Sequence, residues 1–119
     1  MYNSITVNHN GTDIVLNKIN QDKYTGEFYV RTDTYSARAF IRHTSRLDKT
    51  RGVKVERHAM ELTVTRFPAV PTDPEVVEKS YTVFETDFGA NPSNMAYTVL
   101  AQTGFLTYAH LGELLSWAS

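Results

Sequence analysis

The sequence predicts an α+β fold: an N-terminal β-hairpin, an antiparallel meander sheet and two C-terminal α-helices. Three observations carry that prediction. An Asn10-Gly11 pair separates two β-like runs at the start of the chain. Four further runs with a two-residue period follow, divided by turn residues. An apolar tail of helical character comes after the last of them, from Asn91 to Ser119. With 119 residues the chain fits one domain.

Ile5 to His9 alternates apolar and polar, and Ile14 to Ile19 follows the Asn-Gly pair. That dipeptide is the strongest short hairpin signal, because both turn positions need φ > 0. A third strand is expected at Glu27 to Arg31, after Gly26. The fourth runs from Tyr35 to Thr44 and sorts by parity, with Ser36, Arg38, Phe40, Arg42 and Thr44 on one face and Ala37, Ala39, Ile41 and His43 on the other. Arg46 to Gly52 is polar and reads as an exposed connection. The fifth strand, Val55 to Phe67, puts Met60, Leu62 and Val64 on a core face and Glu61, Thr63 and Thr65 on an open one.

Phe67 to Pro74 holds Pro68, Pro71 and Pro74, which forbid a ladder and stiffen a loop. The sixth strand, Glu75 to Phe88, places Lys79, Tyr81, Val83 and Glu85 opposite Ser80, Thr82, Phe84 and Thr86. Asn91 is a helix N-cap with Pro92 at the first helical position, where a missing N–H costs nothing. This helix should reach Thr103 or Tyr108, and a second should span His110 to Trp117. The tail carries Met95, Val99, Leu100, Phe105, Leu106, Leu111, Leu114, Leu115 and Trp117. It is too apolar to stay in water, so the chain is expected to finish its core against another copy of itself.

A hydrophobic content of 41% excludes wholesale disorder. With no Cys, disulfides and Cys-based zinc sites are excluded. The first residues show neither the basic nor the apolar region of a secretory signal, and no apolar run approaches a membrane span, so no membrane partner is expected. Net charge is −1, unevenly spread: Arg38 to Arg66 carries +5 and the remainder −6. Such asymmetry fits a surface that meets a polyanion, and equally fits strands and turns with solvated Lys and Arg.

Catalytic chemistry is not indicated. His9, His43, His58 and His110 have no metal-like spacing, so no metal or other cofactor is expected. No nucleophile elbow, Walker loop or dinucleotide fingerprint occurs. Nothing brings Asp48 with Glu56, or Glu75 with Glu78, into a cleft. The chain reads as a non-enzyme without a small-molecule substrate.

The open sheet face reads as a binding surface. It shows Arg38, Arg42, Thr63, Thr65, Lys79 and Tyr81 on three successive strands. Arg offers forked donors to phosphate, Thr hydroxyls reach base edges or sugars, and the Tyr81 ring can stack an unpaired base. Phe40 and Val83 on this face keep a covered, second-core reading open.

With these residues in place, the layout resembles the coat proteins of single-stranded RNA bacteriophages, the leviviruses. The similarity covers essentially the whole chain as architecture. Lys79-Ser80-Tyr81 is similar to the basic-x-Tyr of the family's last long strand, Ala101 to Leu106 to its Gln-Gly-Leu-Leu type helix region, and Phe40-Ile41-Arg42 to its Ser-hydrophobic-Arg strand. The resemblance implies an interlocked homodimer with sheets joined edge to edge and helices crossing onto the partner. It implies dimers tiled into an icosahedral shell around single-stranded genomic RNA, in a virion assembled in the bacterial host cytoplasm. The loop Pro68, Ala69, Val70, Pro71, Thr72, Asp73 and Pro74 matches in position the one at the shell's symmetry axes. Ser36, Arg38, Phe40, Arg42, Thr63, Thr65, Tyr81 and Val83 then face RNA, with Lys79 beside them, and a bound viral hairpin represses replicase translation.

Two positions depart from the family pattern. Val83 falls where several members use Asn or Asp, and Phe40 where a small hydroxyl residue is common. Both weigh against hairpin-specific recognition, whereas packaging through phosphate contacts needs only cationic density. A non-assembling dimeric α+β regulator that grips RNA or DNA on its sheet shares the arginines and Tyr81. A small enzyme with an apolar pocket lacks any supporting motif.

Overall fold

The computed structural model describes residues 2–117; the last two residues of the expected tail lie outside them. Six strands form one antiparallel sheet in chain order: β1 Ser4–His9, β2 Thr12–Gln21, β3 Thr25–Arg31, β4 Tyr35–Asp48, β5 Val53–Arg66 and β6 Val76–Asp87. Two helices follow, α1 Pro92–Phe105 and α2 Tyr108–Leu115. The expected α+β meander is the observed one.

Asn10 and Gly11 adopt φ of 51° and 82°, the doubly left-handed turn that matches the twist of flanking strands. Between β2 and β3 the register shifts at Lys18 to Asn20. Such a bulge sharpens the local twist, and here the sheet curls. The β1–β2 hairpin folds back over one face until His9 Nε2 lies 3.1 Å from Arg66 Nη2. Curling makes the core: Ile14, Leu16, Phe28, Ala37, Ala39 and Val64 are buried together, with Ile5, Val7, Val30, Ile41 and Leu62 packed around them. The small Ala37 and Ala39 let β2 approach β4 closely, and Phe28 and Leu16 fill the space between.

Most element ends shift by one or two residues from the sequence expectation, and two of the differences have a clear local cause. β4 and β5 continue in register through Asp48 and Val53, so Arg46 to Asp48 is strand rather than connection. The reversal needs only residues 49–52. The Asp48 carboxylate accepts from the Thr50 and Arg51 amides, and Gly52 supplies φ of 68°. The second helix starts at Tyr108 rather than His110, because Thr107 Oγ1 accepts from the His110 amide and caps it. Asn91 caps α1 as expected, accepting from the Ser93 amide at 3.0 Å, and Pro92 opens the helix.

The helices are not covered. No residue from Asn91 to Trp117 is buried. Helix α1 approaches its own sheet only through its first turns, where Pro92, Met95, Ala96, Val99 and Leu100 line an open cleft with Glu56, His58, Phe84 and Thr86. Tyr108 is 96% exposed and Trp117 93%. Among the described residues, no helix is long and apolar enough to cross a membrane.

Candidate nucleic-acid interface

Strand period and hairpin register together set the face opposite the core. Ser36, Thr65 and Val77 stand in one row across β4, β5 and β6. Arg38, Thr63 and Lys79 form the next, then Phe40, Glu61 and Tyr81, then Arg42, Ala59 and Val83. All nine residues expected at the site, Ser36, Arg38, Phe40, Arg42, Thr63, Thr65, Lys79, Tyr81 and Val83, therefore share one face. Part of it is an open groove of about 440 Å³ whose lining includes Tyr29, Ser36, Arg38, Phe40, Thr63, Thr65 and Lys79. The Tyr81 ring is 60% exposed, so it can receive a flat partner.

The electrostatics differ from a bare cationic floor. Arg38 is paired with Glu27. Arg42 donates to Glu61 Oε2 at 2.8 Å, and Lys79 Nζ lies 3.5 Å from Glu61 Oε1. Arg46 and Arg57 both approach Glu85, at 3.0 and 3.9 Å. Hydrogen bonding from Arg42, with the nearby Lys79 charge, holds the Glu61 carboxyl below its ordinary range. Lys79 is pushed up, first by the neighbouring Tyr81 hydroxyl and then by Glu61. At the far end of the β4–β5 arm, Arg51 grips Asp48 and Asp87, lowering both carboxyls. The +5 segment is thus not one patch: Lys49, Arg51 and Lys54 belong to the arm's tip, away from the groove.

Aromatic rings underlie the arginines. The Arg38 guanidinium lies 4.7 Å from the Tyr29 ring centre, Arg42 4.2 Å from Phe40, and Arg31 4.7 Å from Phe67. Cation–π attraction holds each fork flat and orients it. Phe40 thus has a use on an open face, as the platform for Arg42. Sequence reasoning missed Glu27 and Tyr29. Their two-residue spacing on the third strand was the signal, and without the β3–β4 register it could not name Arg38 as their partner.

It also missed a histidine pair on the core face. His43 and His58 are register partners, with Nδ1 atoms 2.8 Å apart, one ring donating and the other accepting. Phe84 lies against His58, and Glu56 Oε1 is 3.5 Å from His58 Nε2. Among the described residues, no three His, Cys, Asp or Glu side chains gather to hold a metal ion.

The proline loop joins β5 to β6. Phe67 N–H bonds the Thr34 carbonyl and Asp73 N–H the Val70 carbonyl, which pins its base and forms a turn at its tip. Pro68 is half-buried; Ala69, Val70, Pro71, Thr72, Asp73 and Pro74 are exposed.

Comparison with known proteins places this arrangement. Residues 2–87, which end with β6, match a family model described as phage phiCb5, coat protein. The virus-like particle of Beihai levi-like virus 21 has a similar chain, with a TM-score of 0.70 over 98% of this chain and 94% of that one. Sequence identity between them is 17%, so the likeness is one of fold, helices included. No curated protein sequence matches.

Proposed function

Because this chain belongs to the phage phiCb5 coat-protein family, a family of structural capsid proteins, we propose that it pairs with a second copy, assembles into a closed shell and holds single-stranded RNA on its charged face. The observation that carries the pairing is the unfinished C-terminal end. No side chain of α1 or α2 is buried, although the helices present Leu100, Phe105, Leu111, Leu114 and Leu115. Burying a fully exposed side chain of this kind is worth about 1.5–3 kcal/mol, of which the share left to gain is 43% at Leu111 and 82% at Leu115. β6 adds a second argument. It is an edge strand of 12 residues without proline, and Val76, Val77 and Tyr81 on it are more than half exposed. An open edge of this length invites strand addition. Two copies joined along β6, each laying its helices on the other's core face, satisfy both features.

RNA is held by the face that carries Arg38, Arg42, Lys79 and Tyr81. Both arginines are already paired, with Glu27 and Glu61, so the charge they offer to phosphate is partly cancelled. That makes base stacking on Tyr81 a larger share of the affinity than cation count suggests. Phe40 and Val83 offer apolar contact rather than hydrogen bonds to a splayed base. Packaging is therefore favoured over the reading of one hairpin and the translational repression that depends on it. The exposed loop of residues 69–74 is where neighbouring dimers meet.

Native mass, electron microscopy and the absorbance ratio at 260 and 280 nm test this together. Uniform closed particles with bound nucleic acid are expected. Removing Ala69 to Asp73 should change the particle form or stop assembly at dimers. A wild-type protein that stays monomeric, or dimeric under every assembly condition, overturns the shell reading and favours a non-assembling regulator.

A further inference from the structure

We propose that Glu61 determines the selectivity of the RNA face, suppressing capture of any polyanion so that unpaired strands are preferred to duplex. The proposal rests on the RNA reading of that face and adds a role that a count of cations does not contain.

Glu61 stands at the centre of the face, in the row between Phe40 and Tyr81. Its carboxylate serves two cations at once, accepting from Arg42 at 2.8 Å and lying 3.5 Å from Lys79. Its side chain is 13% exposed, against 41% for Arg42 and 44% for Lys79. The negative charge thus lies beneath the positive ones, less accessible to a ligand than they are. A phosphate that arrives from solvent meets two cations already half-cancelled from below. Phosphate contacts drive sequence-independent binding and fix its salt dependence, so a carboxylate placed here lowers that component. It leaves the stacking component intact, because the neighbouring Tyr81 ring remains exposed. A duplex, whose bases are already stacked on each other, has only the phosphate component to offer. An unpaired strand has both. Glu27 acts in the same sense on Arg38, at the next strand out.

The test compares wild type with Glu61→Gln, whose amide oxygen still accepts from Arg42 and so preserves the local geometry. Full-length protein is titrated with a short unstructured single-stranded RNA and with an RNA duplex of equal length, over a range of NaCl concentrations. The variant should bind duplex roughly tenfold more tightly at low salt, with a salt slope steeper by about the equivalent of one phosphate contact. Affinity for single strands should rise less, so the ratio between the two ligands shrinks. Glu27→Gln should act in the same direction and serves if the first variant does not fold. Wild-type binding with an unchanged salt slope in both variants overturns the role of Glu61 and leaves the RNA reading standing. If wild type binds neither RNA, the RNA reading falls and this proposal with it.

Discussion

Residues 14–64 and residues 65–117 differ in one simple respect: among the described residues, every buried one belongs to the first stretch and none to the second. In the first, Leu16 and Ala39 are wholly inaccessible and Phe28 is 2% exposed, because the β1–β2 hairpin curls over β3, β4 and β5. In the second, β6, α1 and α2 carry many apolar side chains, none of them buried and only Phe84, Met95 and Val99 partly so. The contrast separates residues that complete a fold from residues that complete an assembly. An apolar side chain in water is unfavourable in either place. The remedy is internal for Phe28; for Leu111 and Trp117, in the assembly proposed above, it comes from another chain.

The largest expected effect breaks the second stretch. Leu111→Asp with Leu114→Asp should abolish dimers and particles, since burying two unpaired charges in a subunit contact is strongly unfavourable. Strand content by circular dichroism should persist, because neither helix supports the core. If particles form regardless, the helices are not part of the subunit contact.

Next in size is the opposite change, made in the first stretch. Phe28→Ala should cost about 3–5 kcal/mol, read by denaturant unfolding at several protein concentrations. The loss should be the same at each concentration, whereas helix variants should show a loss that depends on it.

The face itself is a smaller matter. Tyr81→Ala should weaken single-stranded RNA by about 1–3 kcal/mol and duplex much less. Equal loss for both would argue against stacking. Arg38→Ala with Arg42→Ala should weaken unrelated RNAs alike and flatten the salt dependence, by less than two full charges imply, because each arginine already shares a carboxylate.

The smallest effect is acid sensitivity. Glu61, Asp48 and Asp87 have folded-state pKa values below their ordinary ones, through Arg42 and Arg51 respectively. A carboxyl with a depressed pKa stabilises the fold fully above its ordinary value and loses that contribution as pH falls through the folded value. Melting temperature should therefore hold from neutrality to about pH 5 and decline below it, with Arg51→Ala removing part of the decline.

How much of this was legible depends on what each feature needs. Asn10-Gly11 fixes a hairpin alone, and the two-residue period of a strand sorts the side chains of β4, β5 and β6 into two faces without knowledge of their order. A meander then makes sequence neighbours spatial neighbours, so the nine face residues could be gathered from parity. Cross-strand partners need more. Arg38 with Glu27, Arg42 with Glu61 and His43 with His58 follow only from the register, which the length of each turn decides. The reading that stopped the fourth strand at Thr44 had the wrong turn, so it could not pair the histidines. The stretch Arg46 to Asp48 looks like loop because it projects beyond the core and leaves its single apolar residue, Leu47, exposed. The curl of the first hairpin was illegible for another reason: a bulge at Lys18 to Asn20 leaves no mark in composition.

The strand order has a consequence for synthesis. Each strand pairs with the one translated just before it, so the sheet can zip up while the ribosome is still at work. The adhesive parts, an unpaired last strand and two apolar helices, emerge at the end. On the assembly proposed above, the β6 edge and the helices that a second subunit would cover are made after the strands that form the core.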